Sequence, residues 1–464
     1  MRAGRPLPRW ILRIVGLVLG GAAGVATVSL ASAAAPVQQP PAGARAVFDA
    51  THLPPLLTLP GEQVELSYEV HCAASGVDDV DAGCDVRGTV FVRGAGDGSF
   101  DAVPLTGRRV DGLRQLVATA PESLVSGRDG FEYYAVLEAP GLDETITLPV
   151  GGADAPHASR RMENVVTVSL DRHTFGRLRS ATDRVASAGW GTAPADAGLE
   201  PGRHVGPIGP SGFDVDASGT VVVLDQANHR LLRWRPGVRA PARVPVSVAG
   251  TLADMTLAND GSIFVLETTA RPGQNPLVRR FDDNGRELEA VEMAEWAPSQ
   301  ILMAPNGPVV LGHPSHHWVP VVVNGTPASP AVQVRHGRPS RPLRGGGEIV
   351  VFRRANELRL ALLAGPNLTR SWRVTSGTSL AEVQLAELIG QRLVVVLRMY
   401  DERSDEFVIL VLDRGGIVDR FSIAPADWAE TAPLGRFRLV GKSLYRLGST
   451  AAGMFVDRFE LEVR

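Results

Sequence analysis

Residues 64–72 alternate strictly, with Val64, Leu66, Tyr68, Val70 and Cys72 on one face and Glu65, Ser67, Glu69 and His71 on the other. A period of two is that of a half-buried strand. Cys84, Val86, Gly88, Val90 and Val92 open a second alternation, so both sulfurs are expected on the core side. They would staple the base of a hairpin whose loop, 73–83, carries Asp78, Asp79 and Asp81. Strand-like runs follow at 99–105, 114–119, 130–138 and 144–148, the third introduced by an Asp129-Gly130 turn. With 55–60 these make about seven strands in about 100 residues, which predicts a β-sandwich over 50–150. Residues 151–163, opening Gly151-Gly152-Ala153-Asp154-Ala155-Pro156, read as a linker.

Beyond it a longer period sets in. Gly219, Gly261, Gly307, Gly347, Gly390 and Gly441 each precede an apolar run, at spacings of 42, 46, 40, 43 and 51 residues. The mean, about 44, is the length of a four-stranded propeller blade. Residues 201–464 accommodate six such units, with seven the alternative count. The last unit offers only three strands before Arg464, so a segment of 164–185, where Val166, Val168 and Leu170 alternate, is expected to pair against 454–463 and close the ring.

Residues 209–234 carry a more specific signal. Gly209-Pro210-Ser211-Gly212-Phe213-Asp214-Val215-Asp216-Ala217-Ser218-Gly219, then Val221-Val222-Val223-Leu224-Asp225, Asn228-His229-Arg230 and Leu231-Leu232-Arg233-Trp234, resemble one NHL repeat. The resemblance implies an all-β chain, with 164–464 an NHL-like β-propeller and 50–150 similar in general form to immunoglobulin-like or fibronectin-like sandwiches. The Cys72 to Cys84 separation is too short for the inter-sheet bridge of antibody domains. The NHL pattern also implies that the glycine turns mark one face of the ring. The opposite face would hold loops 225–230, 267–276, 312–318, 354–357, 401–406 and 448–453, where binding usually resides.

Arg2, Arg5, Arg9 and Arg13 precede an apolar stretch from Ile14, and Ala31-Ser32-Ala33 supplies small residues for a signal peptidase. Residues 1–33 are expected to be a cleaved signal. The alternative is an anchor, since 14–35 is 22 residues and just spans a bilayer. Export suits a Cys72–Cys84 disulfide. The chain is 44% hydrophobic and 21% charged, an ordinary globular balance. Its 47 basic and 50 acidic residues give a formal charge of −3, and removing 1–33 takes it to −7. No basic field for nucleic acid exists.

Candidate chemistry is sparse. His313, His316 and His317 cluster beside Trp318, but adjacent histidines cannot easily face one metal from an extended backbone, and no metal or cofactor is assigned. Asp225, Asn228 and His229 lie on the expected loop face with Glu267 and Asp401. In NHL repeats the positions of Asp225, Asn228 and Arg230 commonly tie their loop together. Asp401-Glu402-Arg403-Ser404-Asp405-Glu406 reads as a solvated turn, and no Gly-x-Ser-x-Gly, His-Glu-x-x-His or phosphate-loop pattern occurs. The reading is a secreted or cell-envelope binding protein with no catalytic residue and no membrane span after cleavage, whose loop face recognises a protein or glycan. A metal-dependent propeller lactonase or lyase and a structural envelope component are the alternatives.

Overall fold

The computed structural model describes residues 47–73, 85–110, 113–202, 206–246, 248, 250–268, 274–294, 297–312, 317–432 and 435–462. The expected signal, Cys84, His313 and His316 lie outside the described residues. The chain divides into two compact units, Met1–Asn164 and Val165–Arg464. Among the described residues no helix is long and apolar enough to cross a membrane.

The first unit holds two sheets around one core. One runs in the order Val47–His52, Glu65–Ala73, Leu113–Thr119, Thr106–Val110. The other runs Leu57–Thr58, His157–Arg161, Phe131–Ala139, Arg87–Gly94, Asp101–Pro104, and Glu144–Leu148 also pairs with Phe131–Ala139. Alternation decides what is inside: Leu66, Tyr68, Val70 and Cys72 from the first sheet meet Val90, Val92, Tyr133, Ala135 and Leu137 from the second. Glu65–Ala73 and Arg87–Gly94 therefore face each other across the core instead of pairing as a hairpin. Cys72 is buried with them.

The expected linker is largely structured. His157–Arg161 within it pairs antiparallel with Phe131–Ala139 and parallel with Leu57–Thr58. Ser159 packs so close to Gly130 that a Cβ there would sit 2.0 Å from the Ser159 carbonyl oxygen.

The second unit carries, among the described residues, six sheets of three or more strands. The first is Gly212–Val215, Val221–Asp225, Arg230–Trp234, Ala242–Pro245; the second Thr251–Leu257, Ile263–Thr268, Leu277–Phe281, Glu287–Glu292; the third Gln300–Ala304, Gly307–Leu311, Trp318–Pro320. The fourth comprises Arg341–Pro342, Glu348–Arg354, Glu357–Ala364 and Asn367–Thr375, and the fifth Ser379–Ile389, Arg392–Tyr400, Asp405–Asp413 and Gly416–Ile423. The sixth comprises Phe437–Val440, Ser443–Thr450 and Gly453–Glu460. Each of the six glycines marks the turn between a sheet's first and second strands, five of them at φ between 57° and 86° and Gly307 at 122°. Only glycine adopts such angles readily.

Both faces of these sheets are covered, so Val221–Asp225 is buried at every position, a continuous apolar run instead of an alternation. Val222 and Leu224 pack on Met255 and Val265, Leu266 on Ile301 and Val310, Leu360 on Val395, Val396 on Phe437, and Leu447 on Phe213 and Val223. The sixth sheet is thus neighbour to the first.

Residues 165–190 join the last three sheets along their outer edges. Val166–Ser169, the alternating segment expected to complete the last sheet, pairs in parallel with Asn367–Thr375 of the fourth. Leu178 bridges to Ser422 of the fifth, and Asp183–Gly189 pairs antiparallel with Gly453–Glu460 of the sixth. The outer strand of the sixth sheet is therefore supplied from residues further along the chain than the alternating valines.

Candidate functional site

The first strands of the sheets meet at the centre of the second unit, and they bring buried charge with them. Asp214 Oδ1 accepts the Val215 amide, while Oδ2 accepts the Thr256 hydroxyl and Leu257 amide, each at 2.9 Å, from the next sheet. Asp254 repeats the device: Oδ1 accepts the Met255 amide and Oδ2 the Ile301 amide of the third sheet at 3.0 Å. These carboxylates stitch neighbouring first strands together. Arg344 Nη2 then donates to both Asp214 oxygens at 2.7 and 2.6 Å. Arg438 lies 3.6 Å from Asp214 and 3.4 Å from Asp254, and Arg341 donates to Glu387 at 2.7 Å.

Burial alone would raise both aspartates. At Asp214 the two arginines outweigh it and hold the carboxyl below its ordinary range. At Asp254 burial wins over Arg438 and pushes the carboxyl up to about 6. Gln300, Gln384 and these three arginines enclose a space of about 10 Å³, room for a single water. Three cations and three carboxylates balance, and each carboxylate is engaged. The centre is a plug and not an open site.

A larger cavity, about 790 Å³, opens between the third and fourth sheets. Val309, Trp318, Val322 and Val323 give it an apolar wall, and His336 and Arg338 a polar rim. The third sheet ends at the short strand Trp318–Pro320, which exchanges backbone bonds with Arg338 at 2.7 and 3.1 Å. The chain then leaves in a Val322–Val323/Thr326–Pro327 hairpin and the helix Pro330–His336. No full fourth strand follows, and the groove occupies that place. Its floor comes from the turns at Asn306, Gly325, Gly347 and Gly365. Trp318 and Arg338, at the end of the 312–318 loop, line it as well, so it runs along the space between the two sheets.

The sequence candidates are dispersed over separate sheets. Asp225 is fully buried: Oδ1 accepts the Gly198 amide and Oδ2 accepts Asn228 Nδ2 and Arg230 Nε, each at 2.8 Å. Asn228 also donates to Gly191 O at 3.1 Å, and Arg230 to Ala193 and Asp196 carbonyls. All three hold residues 191–198 in place, which leaves Asp225 nothing to offer a ligand. Glu267 is likewise buried, paired with Arg279 and the Gly250 amide. His229 is exposed at φ 49°. Asp401 is exposed and caps its own turn by accepting the Arg403 and Ser404 amides at 2.8 Å. The solvated turn stops there, because Asp405 pairs with Arg398 and buried Glu406 with His173 Nε2 at 2.9 Å. His317 is half-buried and Trp318 buried against the groove. Among the described residues no group of three or more His, Cys, Asp or Glu side chains could hold a metal.

Asp214, Asp254, Arg344 and Arg438 escaped the sequence reading because their partners are distant, 130 residues for Arg344–Asp214 and 184 for Arg438–Asp254. The available signal was local: Asp214 sits five residues before the glycine turn at Gly219, and Asp254 seven before that at Gly261.

No known protein family matches the chain, and no curated protein matches it. Solved structures that resemble it include virginiamycin B lyase from Staphylococcus aureus, at 11% identity over 54% of this chain and 95% of that one, TM-score 0.33. YCF48 bound to D1 peptide gives 7% identity over 63% and 99%, TM-score 0.33. The PQQ-bound aldose sugar dehydrogenase of Streptomyces coelicolor gives 12% over 60% and 97%, TM-score 0.31. These neighbours are β-propeller proteins, both enzymes and a peptide-bound protein, and the chain itself is mostly β.

Proposed function

We propose that the chain is an exported, non-catalytic binding protein, built as a six-bladed NHL-like propeller behind an immunoglobulin-like sandwich, with Cys72 and Cys84 oxidised to each other. Its partner is a protein or glycan outside the cytoplasm. The observation that carries this reading is the groove beside Trp318: 790 Å³ of mixed apolar and polar wall, sited where the third sheet stops short. Specific ligand sites are concave, mostly apolar and few per protein. The central charges, by contrast, are consumed by one another, with no free acid–base pair beside open space.

A peptide-display library and a glycan array presented to the whole protein test the proposal. Val323→Arg fills the groove wall, while Val238→Arg alters an exposed turn of the first sheet as control. Ligands recovered with the wild type should keep their affinity in Val238→Arg and lose at least tenfold in Val323→Arg. Equal affinity in both variants would remove the groove from the reading.

A further inference from the structure

Trp428 is the one tryptophan among the exposed large apolar side chains of the described residues, at 45% exposure. Single exposed apolar residues are ordinary, but this one is built in. It lies on the connection from Gly416–Ile423 to Phe437–Val440, on the loop face of the second unit. Its loop is pinned on both sides: Ser449 donates to Ala426 O at 2.7 Å and its hydroxyl receives the Ala429 amide at 2.9 Å. Glu430 N and Ala432 N donate to Pro207 and Pro210 carbonyls at 2.8 Å. Ala426 and Ala432 take left-handed φ of 49° and 41°, a conformation unfavourable for alanine that persists only where surroundings impose it.

Trp190 stacks behind Trp428, with ring centroids 6.1 Å apart and planes 29° from parallel. The Trp190 indole is itself fixed, donating to Thr450 O at 3.0 Å and packing where a Cβ on Gly209 would come within 3.1 Å. Asp427, which precedes Trp428 in the chain, accepts Arg398 Nη2 at 2.9 Å, lies 3.8 Å from Arg436 Nη1 and keeps 35% of its side chain in solvent.

We infer that Trp428, backed by Trp190, is a stacking platform for a pyranose ring of a neutral glycan. The C–H face of a pyranose is apolar and flat and packs on an indole, whose face is electron-rich. Its hydroxyls need polar partners at the rim, and Asp427, the residue before Trp428, keeps part of its carboxylate in solvent. A protein hot spot would set the tryptophan inside a broad desolvated patch. Here the exposed apolar surface is a single indole, and its neighbours in the chain include Asp427 and Glu430. The loop pre-pays the ordering that binding otherwise costs. This inference rests on the reading of the chain as a binding protein but not on the groove.

Cellohexaose and chitohexaose, β-1,4-linked pyranose chains, are the probes, titrated into whole protein by calorimetry and tryptophan fluorescence. At least one should bind saturably, with affinity reduced tenfold or more in Trp428→Ala and within about threefold of wild type in Trp428→Tyr. Melting curves of all variants check that the fold persists. Val323→Arg should leave this titration unchanged. Absence of binding by both sugars, or binding that survives Trp428→Ala, overturns the platform. Loss in Val323→Arg alone moves the sugar to the groove, and a peptide ligand lost only in Trp428→Ala replaces the glycan with a protein contact; both refute this inference while leaving a binding protein.

Discussion

Asp225 satisfies three donors with two oxygens in a place water does not reach. Removing the carboxylate strands the Arg230 guanidinium and the Gly198 amide together, and breaking a buried pair costs about 3–5 kcal/mol. Asp225→Ala should therefore lower stability by about that amount in chemical denaturation. Asp401→Ala, which loses only an exposed turn cap, should cost less than about 1 kcal/mol. Similar losses at both would show that the 191–198 loop is not held through Asp225. Two other buried groups make opposite demands on pH. His52, stacked on Tyr68 at 4.3 Å and bonded to Ser67 O and Tyr133 Oη, is lowered by burial to about 4. Its contribution is present above pH 6.5, the unfolded value, and is lost as pH falls to 4. Asp254, raised to about 6, costs stability above pH 6 and is relieved as pH falls towards 3.8. A tenfold difference in proton affinity between folded and unfolded chains is worth about 1.4 kcal/mol, large enough to follow by denaturation. Between about pH 7 and pH 4.5 the first unit should thus weaken relative to His52→Gln, while wild type should gain on Asp254→Asn in the second. Parallel pH curves for wild type and both variants would refute the assignments.

Secondary-structure elements differ in how far they could be read from the chain. The turns of the second unit were legible, because Gly219, Gly261, Gly390 and Gly441 occupy left-handed angles that local sequence advertises. The strand Phe131–Ala139 was legible too, with every second residue buried. Pairing between distant strands was not. Nothing local in His157-Ala158-Ser159-Arg160-Arg161 distinguishes a linker from an edge strand, since one buried serine is its only fully interior position. Nor do Val166 and Val168 say which sheet will receive them. The sheet partner is instead recorded at Gly130, whose φ of 88° and lack of a side chain admit the Ser159 carbonyl. Gly130→Ala combines an unfavourable backbone angle with a backbone clash that no rotamer relieves, so it should cost more than about 2 kcal/mol. Gly96→Ala, at φ 90° with nothing within 4 Å, isolates the angle alone and should cost about 1 kcal/mol. Equal effects would mean that His157–Arg161 does not pack there.

At the scale of the whole molecule, the second unit depends on a non-local closure. Its sheets are held successively, Asp214 to Leu257 and Asp254 to Ile301 at the centre, with apolar layers between, and the sixth meets the first through Leu447, Val456, Phe213 and Val223. Residues 165–190 bind the outer edges of the fourth, fifth and sixth sheets before the chain enters the first. Gly453–Glu460 is the hinge of this arrangement, paired on one side with Ser443–Thr450 and on the other with Asp183–Gly189. Arg458 pairs with Asp183 and Asp457 with Arg446 and Arg184, so charge as well as backbone crosses the seam. Deleting residues 455–464 removes buried Phe455, Val456 and Phe459 and exposes two strand edges at once. The second unit should then lose its cooperative melting transition, and the protein should aggregate or be degraded. The first unit, whose core draws on none of these residues, should keep its own transition. Arg458→Ala, which removes the exposed Asp183 pair and a Tyr445 contact but no strand, should shift the melting temperature by only a few degrees. A truncated chain that melts as the wild type does would show that the ring is closed by some other contact than the Asp183–Gly189 strand.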